Sequence, residues 1–120
     1  QAAKGWVQPK MKKLKYIFMK SNISIKISGN TKDIPVLILE NLDFRNPMRF
    51  KDGEWIANFP NFPIDTDNKL DFALIAAGIP HQECKVTVTV QVGTTSKSKE
   101  SVDTFGGKGW AIIKDQLNLV

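Results

Sequence analysis

The sequence predicts an all-β fold, an antiparallel β-sandwich of seven to nine short strands that forms one domain over residues 1–120. Apolar and polar residues alternate along several short segments, which is typical of strands with one buried face. Turn-forming residues separate these segments about every 8–12 residues. No segment shows a sustained helical period. A small β-barrel is the alternative architecture.

The first strands are expected in the N-terminal third of the chain. Leu14–Met19 and Ile23–Ile27 both alternate, the second more regularly than the first. Ser21-Asn22 between them is typical of a tight turn, so the two segments are expected to form an N-terminal hairpin. Ile34–Leu42, which is rich in β-branched and aliphatic residues, is the next predicted strand.

The middle of the chain contains the strongest hairpin signal. Met48–Phe50 and Glu54–Phe59 flank Asp52-Gly53, a dipeptide that favours a two-residue turn between paired strands. Two prolines then stand close together in Pro60–Pro63, and this segment is expected to interrupt regular structure.

The C-terminal half contains the most regular alternation. Cys84–Val92 is the clearest strand, because every second residue is apolar. Lys69–Ala77 is either a strand or a turn of buried helix, since its three alanines weaken the strand pattern. Thr94–Ser101 is expected to be a polar loop, and Trp110–Ile113 the final strand.

Charge is distributed unevenly along the chain. The first 32 residues contain eight lysines and no acid, a net charge of +8. The remaining 88 contain nine basic and twelve acidic residues, a net charge of −3. Clustered positive charge attracts polyanions, so the front quarter is the first candidate for a binding region.

The predicted ligand-binding residues fall in two places. The basic set would line the wet face of the N-terminal hairpin with a nearby aromatic for stacking, whether the partner is nucleic acid, an acidic glycan or an anionic surface. The competing interpretation is that these lysines protect an edge strand from pairing with another chain. Phe62, between two prolines, is the candidate exposed aromatic of a loop. The basic set and its aromatic are Trp6, Lys10, Lys12, Lys13, Lys15 and Lys26.

The residues that could carry catalysis or hold a metal give weak signals. Cys84 is the only cysteine and shares its parity with the inward valines, so it is expected to be buried and not paired with the lone His81. Asp65–Asn68 is rich in oxygen but lacks the pattern of a calcium loop. Gly106–Gly109 lacks the spacing of a phosphate loop and is expected to be a turn. The sequence therefore predicts no enzyme, metal or cofactor.

These observations favour a non-catalytic binding module that attaches to an acidic or polar partner, either a carbohydrate or polyanion or an acidic protein surface. One alternative is a single-stranded nucleic-acid-binding barrel. Another is an assembly subunit, a homo-oligomer included, that joins its neighbours by strand addition. No apolar segment approaches the roughly 20 residues of a membrane helix. A secreted or cell-surface location is expected from the fold class and from Gln1-Ala2-Ala3 as a processed end, with a cytoplasmic location left open.

Overall fold

Two antiparallel β-sheets pack face to face in the computed structural model, which describes residues 19–28, 30–64 and 68–119. The predicted β-sandwich is confirmed, at the upper end of the predicted number of strands. The strands are β1 (Met19–Ile27), β2 (Thr31–Leu39), β3 (Leu42–Arg45), β4 (Arg49–Lys51), β5 (Glu54–Ile64), β6 (Lys69–Gly78), β7 (Glu83–Val92), β8 (Thr95–Thr104) and β9 (Trp110–Asn118).

The strands divide into a five-stranded sheet in the order β4-β5-β1-β7-β8 and a four-stranded sheet in the order β3-β2-β6-β9. Every neighbouring pair is antiparallel. Among the described strands, β4 and β8 are therefore the outermost of one sheet and β3 and β9 of the other. Among these, β8 and β9 are long, whereas β3 and β4 span only four and three residues.

The core lies between the sheets and is built by the period-two pattern. Alternate residues of β1 and β7, such as Ile25 and Val88, face alternate residues of β6 and β2, such as Leu74 and Leu37. All four side chains are buried. Removing an aliphatic side chain of this size from water contributes about 1.5–3 kcal/mol, so the alternation specifies which face of each strand points inward.

The predicted turn at Ser21-Asn22 is wrong, because both residues lie inside β1. The pairing of β1 with β5 is irregular between Ser21 and Ile23, as in a β-bulge. The Ser21 hydroxyl donates to the Phe62 carbonyl at 3.2 Å, and the Asn22 side chain accepts from the Asn61 N–H at 3.2 Å. The polar side chains that suggested a turn therefore connect two strands.

The predicted interruption at Pro60–Pro63 is also wrong, because β5 continues through both prolines to Ile64. The short β4 pairs only with the first residues of β5, Glu54 to Ile56. Beyond them, β5 pairs within the described residues only with β1, and a proline is tolerated where its missing N–H would point away from that neighbour.

The predicted polar loop at Thr94–Ser101 is instead the first part of β8. This strand pairs with β7 over its whole length, starting from Val92 opposite Thr95. Most of its side chains are exposed, since it lies at the edge of its sheet. An edge strand that is wet on both faces needs no apolar alternation, and the sequence signal is absent for that reason.

Other expectations are confirmed. Asp52 and Gly53 form the two-residue turn between β4 and β5, with positive φ angles of 52° and 80° as a type I′ turn requires. The ambiguous segment Lys69–Ala77 is strand, within β6. Cys84 is fully buried, and Gly106–Gly109 forms a turn in which the Gly109 N–H donates to the Gly106 carbonyl at 2.9 Å.

Backbone hydrogen bonds connect the turn after β6 to the loop before β9. The Gly78 N–H donates to the Gly109 carbonyl at 2.8 Å, and the His81 N–H donates to the Phe105 carbonyl at 2.9 Å. The ring of Phe105 is fully buried against Gly78, where a Cβ atom would overlap it. This packing fixes the point at which β9 begins.

Candidate binding surface

The outer face of the four-stranded sheet is apolar. Pairing across β2, β6 and β9 aligns Val36, Ile75 and Ile112 in one row. Residues that pair directly across neighbouring strands point to the same side of a sheet. This row and the rows through Ala73 and Ala77 on either side of it therefore form one continuous surface. This surface, called the apolar face below, consists of Val36, Ile38, Ala73, Ile75, Ala77, Trp110 and Ile112.

Two side chains of the apolar face are largely open to solvent. Trp110 is 53% exposed and Ile112 is 69% exposed. The others are half-buried by their neighbours. An antiparallel sheet with one wet face usually carries polar residues on that face, and contiguous exposed apolar patches usually mark interaction sites. The apolar face is therefore the strongest candidate binding surface of the described chain.

Charged residues surround the apolar face in equal numbers of each sign. Asp43 and Arg45 of β3 form a surface ion pair at 3.1 Å. Asp43 lies opposite Ile38 and Arg45 opposite Val36, which places both side chains on the outer side. The three basic and three acidic residues of this rim, assigned by strand register, are Arg45, Lys69, Lys114, Asp33, Asp43 and Asp71. Two further charged residues, one of each sign, lie at the ends of β2, the exposed Lys32 and Glu40 in the following turn.

A depression of about 830 Å³ lies at one end of the apolar face. Ile38, Asp71, Ala73 and Lys114 are among the residues that line it. One carboxylate oxygen of Asp71 is buried and has no hydrogen-bond partner. An unpaired buried carboxylate oxygen is costly to the stability of the fold.

Three side chains connect the edges of the two sheets beside this depression. The Lys99 ammonium of β8 lies 2.9 Å from one carboxylate oxygen of Asp115 in β9, and the Ser101 hydroxyl donates to the other at 2.6 Å. The hydrogen bond from Ser101, followed by those from Lys99 and from the Gln116 backbone, lowers the pKa of Asp115 to about 2.

The same cluster occupies part of the free edge of β9. Lys99 also donates to the Gln116 carbonyl at 3.0 Å, and Asp115 accepts from the Gln116 N–H at 2.8 Å. At the other end of β9, the Trp110 carbonyl accepts from the Gly106 N–H at 2.9 Å. Both ends of the edge are thus engaged. At the β9 edge, the Lys99 side chain thus engages a backbone carbonyl that would otherwise be open to another strand.

The outer face of the five-stranded sheet is polar and basic. Lys26 is exposed there, as predicted, with Ile56 and Thr87 on either side. This polar face carries five basic residues, Lys20, Lys26, Arg49, Lys51 and Lys85, and three acidic residues, Glu54, Glu83 and Glu100. Lys85 and Glu100 are 3.4 Å apart. No aromatic side chain of the described residues lies on the polar face.

The prediction of an exposed Phe62 is wrong. Phe62 lies in β5 opposite the buried Ser21 and is 6% exposed. Its ring packs near those of Phe59 and Phe44, with ring centres 6.2 and 6.3 Å away. Because β5 remains a strand through the prolines, the alternation continues and turns Phe62 inward. It cannot anchor a ligand as a loop aromatic.

The remaining residues of the predicted binding set are Trp6, Lys10, Lys12, Lys13 and Lys15, which lie outside the described residues. The same holds for the first strand of the predicted hairpin and for residues 65–67 of the acidic segment. Their roles stay predictions.

The Cys84 thiol accepts a hydrogen bond from the Thr31 hydroxyl at 3.6 Å. Burial raises the pKa of Cys84, and the Thr31 hydrogen bond acts in the opposite direction. Such a thiol is poorly suited to act as a thiolate nucleophile, and His81 lies exposed in the turn before β7.

Within the described ranges, no three His, Cys, Asp or Glu side chains come together as a metal site would require. The described part of the chain also contains no helix that is long and apolar enough to span a bilayer.

Sequence reasoning missed the apolar face. A usable signal was present in β6, where the outward residues Ala73, Ile75 and Ala77 are as apolar as the inward ones. A strand that is apolar on both faces over several residues is the pattern of strands buried on both sides, so it could have marked this face for attention. Comparisons with protein-family models, with curated proteins and with solved structures find no match to this chain.

Proposed function

We propose that this protein is a non-catalytic binding module that attaches to a protein partner through the apolar face. The observation that carries the proposal is the exposure of Trp110 and Ile112 within an unbroken apolar surface. Covering Ile112 would contribute about 1–2 kcal/mol, since a fully buried isoleucine contributes about 1.5–3 kcal/mol. Exposed tryptophans are frequent anchors of protein interfaces.

The rim supports a protein partner over a polyanion or an anionic membrane. Three basic and three acidic residues surround the apolar face, so no net charge there attracts a polyanionic partner. Protein interfaces combine an apolar centre with a mixed polar rim, which is the arrangement of this surface.

A photo-reactive amino acid at position 112 tests the proposal in an extract of the source cells. We expect cross-linking to a protein from position 112 and little from position 102, because Val102 is also exposed, at 50%, but lies on the polar face. An unlabelled Trp110→Glu chain should compete less well than the unlabelled wild-type chain. Equal cross-linking from both positions would refute the proposal.

The polar face supports a second candidate, binding of a polyanion, which retains part of the sequence prediction. The supporting observation is that Lys26 is exposed on a face with five basic and three acidic residues. We expect Lys26→Glu to elute from heparin at lower salt than the wild type, and Lys114→Glu, on the other sheet, to elute at nearly unchanged salt. Equal shifts in the elution salt of the two variants would indicate that heparin responds only to the total charge of the protein.

A further inference from the structure

We infer that the partner of the apolar face is a second copy of this chain, bound face to face about a two-fold axis. This inference rests on the proposed function and names the partner. A two-fold interface brings the same surface of each copy together, so that surface must be complementary to itself. Three properties of the four-stranded sheet fit this requirement.

The first property is charge balance. Arg45, Lys69 and Lys114 on the rim are matched in number by Asp33, Asp43 and Asp71. A copy that approaches face to face therefore meets no net charge of like sign. The polar face, with five basic and three acidic residues, would repel a copy of itself.

The second property is relief. Trp110 and Ile112 protrude from β9, while the neighbouring outward residues of β6 include the small side chains Ala73 and Ala77. One surface therefore combines large exposed side chains with small neighbouring ones. Two sheets that stack face to face lie about 10 Å apart, which leaves room for side chains of this size to interdigitate.

The third property is area. Three strands of nine or ten residues and the four-residue β3, spaced about 4.8 Å apart, present a face of roughly 500 Å². Two such faces bury on the order of 1,000 Å², which is at the small end of specific interfaces. The dimer is therefore expected to be weak, with a dissociation constant in the micromolar range.

The free edge of β9 argues against the other way of joining two copies. Edge-to-edge pairing needs a run of unpaired backbone groups. The Trp110 carbonyl accepts from Gly106, and the Gln116 N–H and carbonyl are engaged by Asp115 and Lys99. Only the middle of β9, around Ile112 and Lys114, remains for pairing. At β9, the edge that borders the apolar face, packing of the faces is therefore favoured over strand addition.

Sedimentation velocity of the full chain over a wide concentration series tests the inference. We expect a reversible monomer–dimer equilibrium in the wild type. Ile112→Glu should weaken dimerisation by about 10-fold or more, since it places a charge at the centre of the interface. Val102→Glu is the matched control, because Val102 is a similarly exposed aliphatic residue on the polar face, and it should leave the dissociation constant unchanged. Trp110→Glu should act like Ile112→Glu and serves if the latter does not fold.

Each contrary result is decisive. A wild type that stays monomeric at every concentration would overturn the inference, as would a dimer that Val102→Glu weakens as much as Ile112→Glu does. If position 112 then cross-links to a different protein, the proposed function survives without the dimer. If position 112 cross-links to no protein, both fail. If the wild type stays monomeric and binds neutral lipid vesicles, and if Ile112→Glu abolishes this binding, then the partner of the apolar face is a membrane and not a second copy.

Discussion

The outer faces of the two sheets differ although the inner faces are alike. Both inner faces contribute buried aliphatic and aromatic side chains to one core. Outside, the five-stranded sheet carries Ser, Thr, Asn and Lys side chains, whereas the four-stranded sheet carries Val, Ile, Ala and Trp. A sandwich needs only its inner faces to be apolar in order to fold. We therefore propose that the apolar outer face acts in binding and not in folding of the single chain, and the predictions below examine that separation.

The largest expected effect distinguishes the two sides of β6. Leu74→Ala should lower the free energy of unfolding by about 2–5 kcal/mol, because Leu74 is buried between the sheets. Ile75→Ala, the next residue and outward, should lower it by about 1 kcal/mol or less. Urea denaturation at concentrations below dimer formation measures both. Equal losses would mean that the apolar face belongs to the core.

A smaller effect is expected at the junction between the sheets. Asp115 has a folded-state pKa of about 2, below its ordinary value near 3.9. Its contribution to stability is therefore full above about pH 4 and disappears as the pH falls to about 2. Asp115→Asn should cost about 1 kcal/mol at pH 7, since the site is partly exposed.

Urea denaturation at several pH values, in wild type and variant, measures the size and pH dependence of this contribution. The matched control is Asp43→Asn, which removes the exposed pair with Arg45 and should cost less than about 0.5 kcal/mol. A loss in Asp115→Asn that stays constant from pH 7 to pH 2 would contradict the assignment of the carboxylate.

The smallest effect on stability is expected on the apolar face itself. Ile112→Thr keeps the β-branched shape that a strand favours and should change the free energy of unfolding by no more than about 0.5 kcal/mol. It should nevertheless reduce the fluorescence of a dye that binds exposed apolar surface. Thr89→Ile, which adds an isoleucine on the polar face, should raise that fluorescence. A stability loss of several kcal/mol in Ile112→Thr would show that Ile112 packs within its own chain.

The sequence predicted best the strands with one wet and one dry face. Cys84–Val92 and Ile23–Ile27 alternate because the core requires it, so the pattern determines their orientation. The first part of β8, up to Ser101, was taken for a loop because an edge strand that is exposed on both sides leaves no apolar alternation. The strand through Pro60–Pro63 was not predicted. β5 tolerates these prolines because β4 is too short to pair with them, and the extent of that pairing is not visible in the sequence.

The apolar face could not have been predicted from the alternation of residues along the sequence. The outward residues Ala73, Ile75 and Ala77 show that β6 is apolar on both sides, but a buried helix gives the same composition. Only the register with Val36 and Ile112 shows that these residues share one exposed surface. Lys26, in contrast, was placed correctly, because its alternation with Ile25 and Ile27 is local.

The hydrogen bonds around Gly78 have a consequence for the kinetics of recognition. They hold the turn after β6 against the loop that precedes β9, and so they fix Trp110 before any partner arrives. Binding at a surface whose backbone is already ordered loses little conformational entropy. Association should then proceed at the ordinary rate of rigid docking, about 10⁵–10⁷ M⁻¹s⁻¹, and substitutions on the face should act mainly by shortening the lifetime of the complex.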